Sequence, residues 1–195
     1  LLGAVLLALG CAAAGSQVRV DNFLLGTMKD DHPVSKTTRL LGRRLQGVVS
    51  LQVAVEGGKN ALKEPKVLAA MAELQRWLAK QPGVTGSLSP ADFVAELHRA
   101  AVGTRILPRD PRAVAQLLLM TEGQGTETSG AASTSRGSGI ERFVDFAYKR
   151  GRIEVMLQDI GARRYLPLVE RCRAEARRLF APLSGVKARV TGTSL

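Results

Sequence analysis

The chain has 195 residues, of which 45% are hydrophobic and only 4% aromatic, and it carries a formal net charge of +11. That is enough apolar material for one domain or two small lobes, and it excludes a compositionally disordered chain. The positive charge favours acidic partners such as anionic lipid, nucleic acid or an acidic protein surface. The scarcity of aromatic faces argues against a binder that stacks single-stranded bases.

The first stretch, Leu1 to Ala14, is uncharged Leu, Ala, Gly and Val around Cys11. A bilayer span needs about 20 such residues, so this piece is too short to cross alone. It has the length of a signal-peptide apolar region without the basic segment that precedes one, and Ala12-Ala13-Ala14 would suit cleavage. Gly10-Cys11 hints at a lipoprotein box, but Ala8-Leu9 before it does not fit one. A truncated signal and a truncated membrane helix carry the same expectation: the residues after Gly15 lie outside the cytoplasm.

Gln17 to Val20 alternates as a short strand. Asp30-Asp31-His32-Pro33 reads as a helix start, with carboxylates at the positive end of the dipole, and the helix runs to about Leu45. Val48 to Glu56 is the clearest strand, with Val49, Leu51, Val53 and Val55 on one face. Gly57-Gly58 ends it. A second helix opens at Glu64-Pro65 and presents Val67, Met71, Leu74 and Leu78 as a stripe beside Trp77. Gln81-Pro82-Gly83 stops it, and Val84 to Leu88 forms a short strand.

Ser89-Pro90-Ala91-Asp92 caps a further helix carrying Phe93, Val94, Leu97 and Ala101. Prolines at 108 and 111 punctuate before a helix from Pro111 to about Thr121. Residues 123–139, GQGTETSGAASTSRGSG, form a low-complexity surface loop. Phe143 to Phe146 and Ile153 to Leu157 read as a hairpin turning at Lys149-Arg150-Gly151. Gly161 to Phe180 is a long helix with Tyr165, Val169, Cys172, Ala176 and Leu179 inward. Arg163, Arg164, Arg171, Arg173, Arg177 and Arg178 lie on its flanks. Val186 to Val190 closes the chain as a strand with Lys187 and Arg189 outward. The alternation gives an α+β two-layer sandwich, for which the ferredoxin-like split βαβ arrangement is the economical topology.

Chemistry is scarce. His32 and His98 have no Cys or carboxylate at ligand spacing. Gly57-Gly58-Lys59 lacks the rest of a phosphate loop and reads as a turn. Ser129, Ser133, Ser135 and Ser138 lack the strained elbow of a nucleophile. Asp30 and Asp31 need no role beyond the helix start. Cys11 and Cys172 sit in unlike settings, so neither a disulfide nor a metal pair is expected, and Cys172 reads as a small buried residue. The expectation is no enzyme, no cofactor and no metal. The arginine-rich helix reads first as a solvated face. Its functional alternative is contact with anionic lipid or an acidic partner.

The order of pieces carries a resemblance. VRVDN at 18–22 follows the apolar leader, and DDHP at 30–33 precedes RLQG at 44–47 and VVSLQVAVEGG at 48–58. Then come VLAAMAELQRWLAKQPGVTGSLSPADFVAELHRA at 67–100, RFVDFAYKRGRIEVMLQDIG at 142–161 and VKARVTGTSL at 186–195. Taken together, and chiefly through PGV-to-SPADF and the terminal VTGT, the chain resembles the first large periplasmic loop of a resistance-nodulation-division (RND) superfamily exporter, of the hydrophobe-exporting MMPL type. It departs from that pattern at Asn22 and Phe23 and in the lengthened Gly/Ser loop.

The resemblance implies that residues 1–15 end a first transmembrane helix and that 16–195 form a porter domain on the periplasmic side of a bacterial inner membrane. It implies proton-driven export of lipids or other hydrophobic molecules. The partners would be a second periplasmic loop of the same polypeptide, the membrane and a hydrophobic substrate, with a homo-oligomer allowed and nucleic acid not involved. The proton-relay residues would lie in later membrane helices, so no catalytic residue carries over. Substrate would pass through an apolar cleft, with Trp77, Phe93 and their neighbours divided between cleft and core. The alternatives are a secreted or lipid-anchored periplasmic binding protein, and a basic nucleic-acid-binding domain.

Overall fold

A computed structural model describes residues 49–122, 139–158 and 162–192, and Gly3 in the leader. The expected strand at 17–20, the helix from Asp30 to Leu45, and residues 123–138 of the Gly/Ser loop lie outside the described residues.

Among the described residues four strands are present: β1 (Val49–Glu56), β2 (Val84–Leu88), β3 (Arg150–Leu157) and β4 (Lys187–Thr191). The helices that accompany them are α1 (Pro65–Leu78), α2 (Pro90–Val102), α3 (Pro111–Glu122) and α4 (Ala162–Phe180). Short 3-10 turns stand at Ala61–Lys63 and Ile140–Arg142. The sheet order is β2-β3-β1-β4 and every neighbouring pair is antiparallel. Strands β1 and β2 are thus joined through α1 with β3 between them. Likewise β3 and β4 are joined through α4 with β1 between them.

The period-two pattern of the strands decides which face is covered. Leu51, Val53 and Val55 of β1 are buried, as are Ile153, Val155 and Leu157 on the same face of the neighbouring β3. Against these pack Met71, Leu74 and Leu78 of α1, Val114 and Leu118 of α3, and Val169, Cys172 and Phe180 of α4. A fully buried Leu or Val side chain contributes roughly 1.5–3 kcal/mol through removal from water, so this shared layer supplies most of the fold's stability. The even-numbered residues, from Ser50 to Ala54 and Arg152 to Met156, stay half-exposed on the other face. The fold is α+β, compatible with a two-layer sandwich.

Several sequence expectations hold closely. β2, the start of α1 after Glu64, and the Ser89 cap of α2 fall where expected. Trp77 and Phe93 both pack at the margin of the main core, half-buried.

Others need correction. The expected first arm of the hairpin at 143–146 is reduced to one bridge, Val144 to Gly151, while Arg150 and Gly151 belong to β3 itself. The cause is a competing local bond: Phe143 N donates to Ile140 O at 2.8 Å, which curls the segment into a 3-10 turn. On α4, Leu179 is half-buried and Leu168 and Phe180 fill the interior instead. That helix also runs through Pro167, whose missing N–H leaves one carbonyl of the first turn without its helical donor.

Candidate functional site

The residues singled out in the sequence disperse. His98 directs Nδ1 to Thr104 O at 2.8 Å, closing the turn after α2. Gly57, Gly58 and Lys59 form a turn in which Gly57 N donates to Lys149 O at 2.9 Å. Cys172 is wholly buried, and that burial pushes its thiol up to about 11. A thiolate is the reactive form, so this cysteine is inert. His32, Asp30, Asp31, Cys11 and the four loop serines lie outside the described residues. Among the described residues, no three His, Cys, Asp or Glu gather where they could hold a metal ion.

The arginine-rich helix α4 is partly neutralised by its own glutamates. Arg173 meets Glu170 at 2.6 Å, and Arg178 meets Glu175 at 2.7 Å while reaching Glu73 of α1 at 3.8 Å. The Arg178 guanidinium holds the Glu175 carboxyl below its ordinary range, chiefly by hydrogen bonding. The arginines of these pairs are exposed, so water and salt screen the attraction.

A denser basic group forms on the open face of the sheet. The strand register puts Arg152, Ala54 and Arg189 in one row across β3, β1 and β4. Two residues along β1, the next row on the same face is Arg150, Glu56 and Lys187. Arg150 Nε lies 3.5 Å from Glu56 Oε1, the one carboxylate in these two rows. Arg152 and Arg189 flank a methyl side chain and gain no counter-ion from it.

The adjoining hairpin completes the site. Gly139, at φ 80, turns the chain into the 3-10 segment that carries Arg142, and Arg152 N donates to Phe143 O at 2.9 Å. Asp145 Oδ1 accepts from the backbone N–H groups of Lys149 at 2.7 Å and Arg150 at 2.9 Å, which fixes the turn. Tyr148, at φ 50, is buried beneath it, with the Lys63 ammonium 4.1 Å from its ring centroid. Over the hairpin opens a shallow cavity of about 270 Å³, lined by residues 142–145 and 150–152. The Arg152 guanidinium stands 5.9 Å from the Phe143 ring centroid. Its Nε is buried and has no hydrogen-bond partner among the described residues.

Part of this group was visible in the sequence, because Arg150 and Arg152, like Lys187 and Arg189, are two apart and so share a strand face. That β3 and β4 both flank β1, which joins the two pairs into one group, follows from sheet pairing alone. The chain matches no protein-family model and no curated protein.

Proposed function

We propose that this chain is the periplasmic porter domain of an RND-superfamily exporter of the MMPL type, serving proton-driven export of lipids or other hydrophobic molecules. The observation that carries the reading is the strand order β2-β3-β1-β4 with its two interleaved helical crossovers. That order agrees with the split βαβ, ferredoxin-like arrangement which the resemblance implies for a porter subdomain. In this reading α2 and α3 are additions between the second and third strands.

The leader, residues 1–15, is then the end of a first membrane helix, with residues 16–195 on the periplasmic side of the inner membrane. Among the described residues no helix is long and apolar enough to cross a membrane. The partner is a second periplasmic loop of the same polypeptide. Exposed Val102 at the end of α2, Ile106 in the segment after it, and Leu119 and Met120 on α3 offer apolar surface for it.

The test is the complete coding sequence together with membrane topology mapped by alkaline phosphatase fusions. The reading expects an apolar stretch of about 20 residues on either side of this domain. It also expects an active fusion within residues 49–122. A basic segment and cleavage site before the leader, with no later span, would replace the exporter with a secreted binding protein.

A further inference from the structure

We infer that the basic end of the open sheet face is a binding site for an oxyanion, a phosphate or carboxylate group carried on an apolar stem, with Arg152 as its central donor. The inference rests on local geometry and is independent of the transport reading. Arg152 Nε is buried beside the cavity without a hydrogen-bond partner among the described residues, although a guanidinium N–H taken from water ordinarily finds an acceptor. Arg142 and Arg150 line the same cavity, and Arg189 stands across Ala54 from Arg152.

Among the described residues, no ion pair joins Arg152 to Asp145, Glu56 or Glu154. Asp145 is engaged by two backbone N–H groups, and Glu56 faces Arg150. Glu154 sits one row further along β3, opposite Gln52. The cavity therefore holds a surplus of positive charge next to one buried, unused donor. An anion with planar or tetrahedral oxygens matches the guanidinium fork, whereas a cation would be repelled. Phe143 and Val144 line the rest of the cavity and would take an apolar stem.

The test titrates the full 195-residue chain calorimetrically with hexyl phosphate, hexanol and inorganic phosphate. Hexyl phosphate should saturate at one site, and Arg152→Gln should weaken it at least tenfold. Arg171→Gln, which removes an equal charge from the exposed face of α4, should leave the affinity unchanged. Should Arg152→Gln lose its native circular dichroism, Arg142→Gln replaces it, with a loss of severalfold expected. Comparable binding of inorganic phosphate would assign the site to a free anion, and binding of hexyl phosphate alone would assign it to an amphiphile head group. Equal losses in the sheet and helix variants would mean that net charge alone attracts the probe, and tight binding of hexanol would mean that charge plays no part. Either result overturns the proposal.

Discussion

Gln75 of α1 and Ser89 at the start of α2 are locked together inside the protein: Ser89 Oγ donates to Gln75 Oε1 at 2.7 Å, and both residues are buried. The Gln75 amide in turn donates to Asp92 Oδ2 at 2.6 Å and Ser87 Oγ at 3.3 Å. Asp92 Oδ2 also accepts from Ser89 N at 2.9 Å, and Ser89 Oγ accepts from Ala91 N at 3.1 Å. A helix cap thus doubles as the joint between two helices. Removing one member leaves buried polar atoms unpaired, so Gln75→Ala is expected to cost about 1–3 kcal/mol. Ser89→Ala should cost about 0.5–2 kcal/mol. The two losses should fall short of additivity in a double-mutant cycle read by urea denaturation. Strict additivity would mean that the contact stabilises nothing.

The hairpin that shapes the basic cavity depends on the absence of a side chain at Gly151. A Cβ there would meet Leu62 Cδ1 at 2.6 Å and Phe143 O at 3.2 Å, whereas one at Gly58 would meet nothing within 4 Å. Gly151→Ala is therefore expected to lower stability by about 1–3 kcal/mol through overpacking. Gly58→Ala should be neutral or raise stability by about 0.4–1 kcal/mol, by restricting the unfolded chain. Thermal unfolding of the two variants checks the contrast, and similar melting shifts would contradict it.

Cys172 provides a probe of the packed layer between sheet and helices. In a Cys11→Ser background the remaining thiol should resist alkylation under native conditions and react fully in denaturant. Burial raises its folded value to about 11 from an ordinary 9.0, so the unfolded chain ionises first. Between those values the unfolded state binds fewer protons, and stability from this group falls as pH rises from about 9 to about 11. It is fully present below pH 9. Cys172→Ala should flatten that part of the stability profile, and an unchanged slope would place its origin elsewhere.

Leu74 is buried without exposure between α1 and the sheet. Leu74→Ala is expected to cost about 2–5 kcal/mol, the range for a cavity that the surroundings only partly fill. Leu119→Ala, at an exposed position on α3, should stay within about 0.5 kcal/mol of the parent in the same assay.

Local periodicity was sufficient for β1, α1 and α4, because each buries one face and the side-chain period reports which. It was sufficient for the Ser89 cap, whose Ser-Pro-x-Asp signature acts within a single turn. Nothing local marked Gln75 as buried, since its partners lie 12 to 17 residues away. The 143–146 arm was misjudged for a related reason: its alternation suits a strand, but the backbone bonds to Ile140 instead. The buried faces, the alternation of strands and helices, and the excess of arginine can all be read along the chain. Tertiary structure alone decided that β1 would lie between β3 and β4, and so brought Arg150, Arg152, Lys187 and Arg189 onto one patch. Strand pairing is a choice among distant segments made by the shared core, and no spacing along one segment encodes it.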